Sequence, residues 1–188
     1  MRNIISLAHI SLDGFMAGPD GDMSFIIHDD ALRDYVYPLM ATVDTAVYGR
    51  TTYQMMESYW PGMIDANDQH ARGHARWYRD VAKIVASRTL TESKRNVRVV
   101  GDDIVGALRM EKQAAGGDIM IFASPTLTHA LAAADLVDEW RLTIQPAILG
   151  GGLPLFARVE KRAKLELRSS KSFDSGVIAA RYVTKRQP

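Results

Sequence analysis

The 188 residues suit one compact domain, 1–188, with a sizeable core, and 23 Lys+Arg against 22 Asp+Glu, in no long run of one sign, disfavour a duplex nucleic-acid binder or a membrane-surface protein. With no cysteine there is no disulfide framework, thiolate zinc site or cysteine nucleophile, which fits a reducing compartment. The apolar N-terminal run is too short for a signal-peptide core and no stretch approaches ~20 apolar residues, so a cytoplasmic protein with a small-molecule partner is expected.

Asn3 to Ile10, rich in isoleucine and leucine, reads as a central strand. It ends at Ser11-Leu-Asp-Gly14, and the turn signals Gly18-Pro-Asp-Gly21 and Asp22 predict a long loop over residues 11–27. Asp29 to Ala41 carries Leu32, Tyr35, Val36, Leu39 and Met40 at helical spacing, a core-packing stripe. Thr45 to Tyr48 is a buried strand broken by Gly49, and Thr51 and Thr52 are N-cap residues for the helix that follows. Such a turn aims unpaired N–H groups and the positive end of the helix dipole at one point, where Arg50 adds a full charge. That point is a phosphate site, the plainer alternative being a capped helix with its arginine in solvent.

Trp60-Pro-Gly62 stops this helix, and Ala66 to Arg79 forms a polar one. It holds His70 and His74 four apart, the spacing of a zinc-binding pair, but no glutamate lies between them and no third ligand is near; a solvated face is expected, and no metal. Lys83 to Ala86 is an apolar strand running into Ser87-Arg-Thr-Leu90, Val97 to Val100 a short strand, and Asp102 to Gln113 a helix stopped by Gly116-Gly117. Ile119 to Ala123 is a further buried strand, and Ser124 as N-cap with Pro125 in first helical position starts an apolar helix to Ala134. Leu136 to Ile144 alternates into a strand, Gly150-Gly-Gly152 is a flexible loop, and Lys164–Phe173 with Val177–Val183 around Asp174-Ser-Gly176 make a hairpin.

Strands alternating with helices imply an α/β fold, a mainly parallel sheet covered on both faces with an antiparallel hairpin at its edge. Ligands of such sheets bind at the carboxyl ends of strands, and the turns after Tyr48, Ala86 and Ala123 all fall there.

Taken in order, Ser11-Leu-Asp-Gly14, Gly49-Arg-Thr-Thr-Tyr53, Lys83 to Leu90, Ser124-Pro-Thr-Leu127, Leu136-Val-Asp-Glu139 and Pro146 to Gly152 through Leu155-Phe156 resemble the dihydrofolate reductase-like superfamily. More closely, the chain is similar to the reductase domain of bifunctional riboflavin-biosynthesis enzymes and its stand-alone relatives. The resemblance implies an NADPH-dependent reductase on a mixed, mostly parallel sheet of eight strands. It implies that Gly49, Arg50, Thr51 and Thr52 meet the cofactor's phosphates, that Ser87, Arg88 and Thr89 hold the adenosine ribose and its 2′-phosphate, and that Ala123, Ser124, Thr126 and Leu127 face the pyrophosphate. Ala123 stands where relatives often have glycine, which puts affinity rather than fold in question. Met16 and Ala17 are expected against the nicotinamide and its ribose. Asp13 either shapes the substrate-side loop or simply caps a turn.

By the same resemblance a carboxylate of the first helix holds the substrate. Of Asp29, Asp30 and Asp34, Asp30 at the helix start is the candidate catalytic residue, with a capping or solvated aspartate as the alternative. Tyr53 and Trp60 either stack on a flat substrate or belong to the core. Met55-Met56-Glu57 replaces the early acidic residue usual in riboflavin-pathway reductases. The expectation is therefore a stand-alone reductase of a conjugated, pterin-like or flavin-precursor-like heterocycle. An NADP-binding sensor or carrier module without turnover stays open beside it. Relatives are commonly homodimers, with Trp140 and the C-terminal hairpin as the contact surfaces here.

Overall fold

A computed structural model describes residues 1–92, 94–157 and 162–186. Its strands are β1 (Ile4–Ser11), β2 (Phe15–Ala17), β3 (Val43–Gly49), β4 (Ala82–Ala86), β5 (Val97–Val100), β6 (Asp118–Phe122), β7 (Glu139–Gln145), β8 (Leu153–Pro154), β9 (Leu165–Ser172) and β10 (Ile178–Thr184). The α-helices are α1 (Asp30–Val36), α2 (Arg50–Tyr59), α3 (Gln69–Asp80), α4 (Ile104–Gln113) and α5 (Pro125–Ala133). Eight strands form one sheet in the order β5-β4-β3-β6-β1-β7-β10-β9, in which β10 alone runs against the others. The first strand is central, and the α/β architecture with a C-terminal antiparallel hairpin is the one the periodicities predict.

Period-two alternation divides the interior strands between two cores. Tyr48 of β3, Val85 of β4 and Met120 and Phe122 of β6 pack with Met40, Tyr53 and Tyr78 on the face covered by α2 and α3. Val47, Ile84, Ile119 and Ile121 point the other way, onto Leu108 of α4 and Leu127 and Leu131 of α5. On the first face, farther along the sheet, α1 lays Leu32 against Phe173, Val177 and Ala179 of the terminal hairpin. Each of the valine, leucine, isoleucine, methionine and phenylalanine side chains among these contributes about 1.5–3 kcal/mol by leaving water.

Several local expectations change. The long loop over 11–27 contains a strand, because β2 pairs antiparallel with β8 in a second, two-stranded sheet. The glycine run 150–152 is not a free loop. The N–H groups of Leu149 and Gly150 donate to the Asp13 carboxylate, and Gly152, at φ +126, lies so close to the Ala17 carbonyl that a Cβ would overlap it. The first helix ends as an α-helix at Val36 and continues as a 3₁₀ turn over Tyr37–Thr42, since Pro38 removes an N–H the α pattern needs. Trp140 is 5% exposed, packs on Phe156 and donates its indole N–H to Thr184 Oγ1, so it belongs to the core and offers no contact surface.

The His70/His74 pair does not form a solvated face either. His74 is stacked on Trp60, ring centroids 3.7 Å apart, where burial depresses its pKa to about 3. His70 packs edge-on against Tyr37. Among the described residues no group of three or more His, Asp or Glu could hold a metal ion, and no helix is long and apolar enough to cross a membrane.

Candidate active site

Strands β4, β3 and β6 are neighbours and run parallel, so the three turns singled out by sequence open on one edge of the sheet. They are tied together there. The Gly49 N–H donates to Ser124 Oγ (3.0 Å), and Ser124 Oγ donates in turn to the Phe122 carbonyl (2.8 Å). Arg50 Nη1 donates to Thr89 Oγ1 (2.7 Å), joining the turn after β3 to the turn after β4.

Both helices that start at this junction lack a side-chain cap. Helix α2 begins at Arg50 with Gly49 as its N-cap, so Thr51 and Thr52 lie inside the first turn and do not cap it. A glycine has no oxygen to offer. Helix α5 follows Ser124, whose backbone is left-handed (φ 50, ψ 61), whereas a capping serine needs extended backbone to reach the N2 or N3 amide. Its hydroxyl therefore turns back toward β6 and β3, and Pro125 supplies no N–H. The amides of Arg50, Thr51 and Thr52 on one helix and of Thr126 and Leu127 on the other are orphan donors at the positive ends of two dipoles.

Ala123 precedes Ser124 in the same left-handed region, φ 48. Two consecutive non-glycine residues there cost about 1–3 kcal/mol each, so the preference for glycine at this turn is conformational as well as steric.

The other expected residues divide by role. Arg88 lies exposed at the rim, paired with Asp102 (3.0 Å), and is available to a ligand. The Ser87 hydroxyl is used within its turn, accepting from the N–H groups of Thr89 (3.2 Å) and Leu90 (2.9 Å). Leu127 points its side chain into the core and presents only its amide. Met16 is buried against Ala8, Ile10, Leu142 and Leu155 and packs with Ala123, while Ala17 is buried beside it. Asp13 is a turn-former: the Ser11 hydroxyl and then the Gly150 and Leu149 amides hold its carboxyl below the ordinary aspartate range.

Tyr53 is 2% exposed and donates to Glu92 Oε2 (2.6 Å), a core residue with no face toward a substrate. Trp60 is half-buried in the stack on His74 and directs its indole N–H at Met56 Sδ. Asp30 has its side chain 83% exposed, paired with Arg33. The helix is capped instead by Asp29, which accepts from the Leu32 N–H (2.7 Å), and Asp34 lies at the surface near His70. Of these carboxylates Asp29 alone comes to the carboxyl edge of the sheet, where Ser175, in the turn after β9, and the Leu32 N–H hold its carboxyl below the ordinary aspartate range.

A different polar group stands there. His9 is two residues beyond Leu7 on the same face of β1, in register with Thr143 of β7, and Leu7 pairs with Phe122 at the end of β6. Its Nδ1 is hydrogen-bonded to Thr143 Oγ1, and Thr143 Oγ1 also accepts from Gln145 Nε2 (3.2 Å). Gln145, fully buried, accepts the Ile27 N–H on Oε1 (3.0 Å), and His28 meets the His9 ring edge-on at 6.1 Å. Burial, then the neighbouring His28, lowers the His9 pKa to about 4, so the ring is neutral near pH 7. Two signals in the chain pointed here unread: a histidine within an apolar strand, and polar residues at every second position, 139, 141, 143 and 145, of a strand interior to the sheet.

A single, mostly parallel eight-stranded sheet with an antiparallel strand near one edge and helices on both faces is the architecture of a dihydrofolate reductase-like α/β protein. Residues 2–179 match the RibD C-terminal domain, and the chain belongs to that family. It is 30% identical over 181 residues to the uncharacterized protein YyaP of Bacillus subtilis (strain 168), covering 96% of this chain and 94% of that one. Its fold is similar to a pyrimidine reductase-like protein from Corynebacterium diphtheriae (TM-score 0.70, 16% identity, 99% of this chain and 93% of the other). It is also similar to dihydrofolate reductase from Enterococcus faecalis complexed with NADP(H) (TM-score 0.65, 14% identity, 98% and 97%).

Proposed function

We propose that this protein is a cytoplasmic NADPH-dependent reductase of a small conjugated heterocycle. The observation that carries the reading is the pair of uncapped helix starts, α2 and α5, side by side at the ends of β3 and β6 and flanked by Arg50 and Arg88. Five orphan amides and two guanidinium groups suit a diphosphate and a terminal phosphate, because charge-assisted bonds to phosphate are the strong ones. The amides of Arg50 to Thr52 and of Thr126 and Leu127 would hold the diphosphate, Arg88 the ribose phosphate, and Met16 would pack beside the nicotinamide ring. The Ser124 hydroxyl acts as a strut that keeps the two helix starts in register. When bound, reduced nicotinamide supplies a hydride, two electrons with one hydrogen, and water supplies the proton that completes the reduced product.

The C. diphtheriae and E. faecalis neighbours carry reductase names, which supports the same chemistry here. A homodimer formed over the β9–β10 hairpin goes with this reading, since Leu167 and Ile178 are exposed on it; sedimentation of the purified protein tests it.

Calorimetric titration with NADPH and with NADH tests the cofactor. We expect NADPH to bind at least tenfold tighter than NADH and the preference to collapse in Arg88→Ala, the loss of a charged phosphate contact being worth about 1.5–3 kcal/mol. Absence of binding to either dinucleotide overturns the assignment.

A further inference from the structure

The polar chain ending at His9 has a direction. Its first donor is a backbone N–H, that of Ile27, which cannot be anything but a donor, so the Gln145 oxygen must face it. The Gln145 amide nitrogen then donates to Thr143 Oγ1, and since the buried Thr143 hydroxyl has no other acceptor among the described residues, its hydrogen goes to His9 Nδ1. His9 Nδ1 is therefore an acceptor, and the single ring hydrogen of the neutral imidazole is on Nε2. Gln145 and Thr143 are both buried, so no water competes to reverse the chain. Among the described residues Nε2–H has no partner. An oriented donor without an acceptor stands at the carboxyl end of the central strand, one strand away from the Ala123-Ser124 turn.

Of the carboxylates at the start of α1, Asp29 is engaged by the Leu32 N–H and Ser175, and Asp30 and Asp34 lie exposed. A carboxylate accepts hydrogen bonds, whereas His9 Nε2–H gives one, and the two select opposite faces of a heterocycle.

We propose that His9 Nε2–H is the group that reads the substrate, and that the substrate presents a conjugated carbonyl oxygen to it rather than an amino-substituted ring edge. This deepens the reductase reading and rests on it for the identity of the site. Reduction of a conjugated carbonyl pushes electron density onto that oxygen, and a neutral imidazole N–H held in one tautomer stabilises it there. Thr143 and Gln145 are positioning residues, acting only through His9.

Two measurements on the full-length protein test the proposal. Nitrogen-15 NMR of the histidine rings at neutral pH reports the tautomer: we expect His9 protonated on Nε2 alone, with the Nδ1 signal shifting in Thr143→Val. A His9 ring protonated on Nδ1, or doubly protonated, overturns the assignment. Matched probes read recognition: lumazine, whose ring carries two carbonyls, and its analogue with amino groups in both places. Lumazine should bind at least tenfold tighter, because two donors facing each other leave both unsatisfied, and His9→Phe should abolish the difference. Tighter binding of the diamino analogue, or an unchanged preference in His9→Phe, refutes the proposal. NADPH affinity is measured in the same preparations. If wild type binds no dinucleotide the reductase reading fails, while tautomer and probe preference still decide the role of His9; His9→Phe should keep wild-type NADPH affinity.

Discussion

Helices α1, α3 and α4 each start with an aspartate, Asp29, Asp68 and Asp103, whose carboxylate accepts the N3 amide. Helices α2 and α5 start with a glycine and with a left-handed serine, and nothing caps them. The contrast separates structure from function on one chain. A capped start is finished, its donors and dipole already answered by a negative charge, and adds about 1 kcal/mol of stability. An uncapped start forgoes that contribution and keeps its donors for an anionic ligand. Both uncapped helices follow neighbouring strands, and a hydrogen bond from Gly49 to Ser124 ties the two turns together, which is why we propose them as one site.

The most severe way to break the contrast is to finish a start that is open. Gly49 has ordinary extended φ, −74, and a Cβ there would meet only Ser124 side-chain atoms at 3.7 Å, so Gly49→Asp should fold. Its carboxylate would cap α2 as Asp29 caps α1. We expect thermal stability equal to or above wild type and NADPH affinity reduced by about 100-fold or more, through occupied amides and like-charge repulsion. Unchanged affinity by calorimetry would show that α2 does not face the phosphates.

The reverse change removes a cap where none should matter for ligand. Asp68→Ala takes away the bond to the Ala71 N–H and the contact with Arg33, and should cost about 1 kcal/mol in denaturant unfolding without altering NADPH affinity. The smallest effect is expected at the turn between β6 and α5. Ala123→Gly relieves a left-handed alanine, worth about 1–2 kcal/mol, against the roughly 0.4–1 kcal/mol that glycine adds to unfolded-chain entropy. The balance should be stabilising by a fraction of a kcal/mol, measured as a small rise in the denaturation midpoint.

Much of this was legible along the chain, for physical reasons that differ between elements. The strands β3, β4 and β6 announce themselves because a strand covered on both faces is apolar throughout, and the turns after them because glycine, serine and proline have narrow backbone preferences. The residues proposed to meet the cofactor follow from those turns by chain continuity. The substrate side does not. Asp30 stands at the helix start that the sequence marks, yet a one-residue shift of the N-cap to Asp29 leaves it in solvent, and local pattern does not resolve a shift of one residue. Tyr53 and Trp60 were open between substrate stacking and the core, and packing buries Tyr53 completely and Trp60 in part.

The sequence by itself determined the alternation of strands and helices and the three turns at the strand ends and their order, because each rests on neighbours within a few residues. Only the tertiary structure decided that the Ser124 hydroxyl braces Gly49, 75 residues earlier in the chain, instead of capping its own helix, and that Ile27, Gln145, Thr143 and His9 form one directed chain of hydrogen bonds. Hydrogen-bond direction depends on which donors and acceptors meet across strands. That is a property of sheet order and register, which no local pattern encodes.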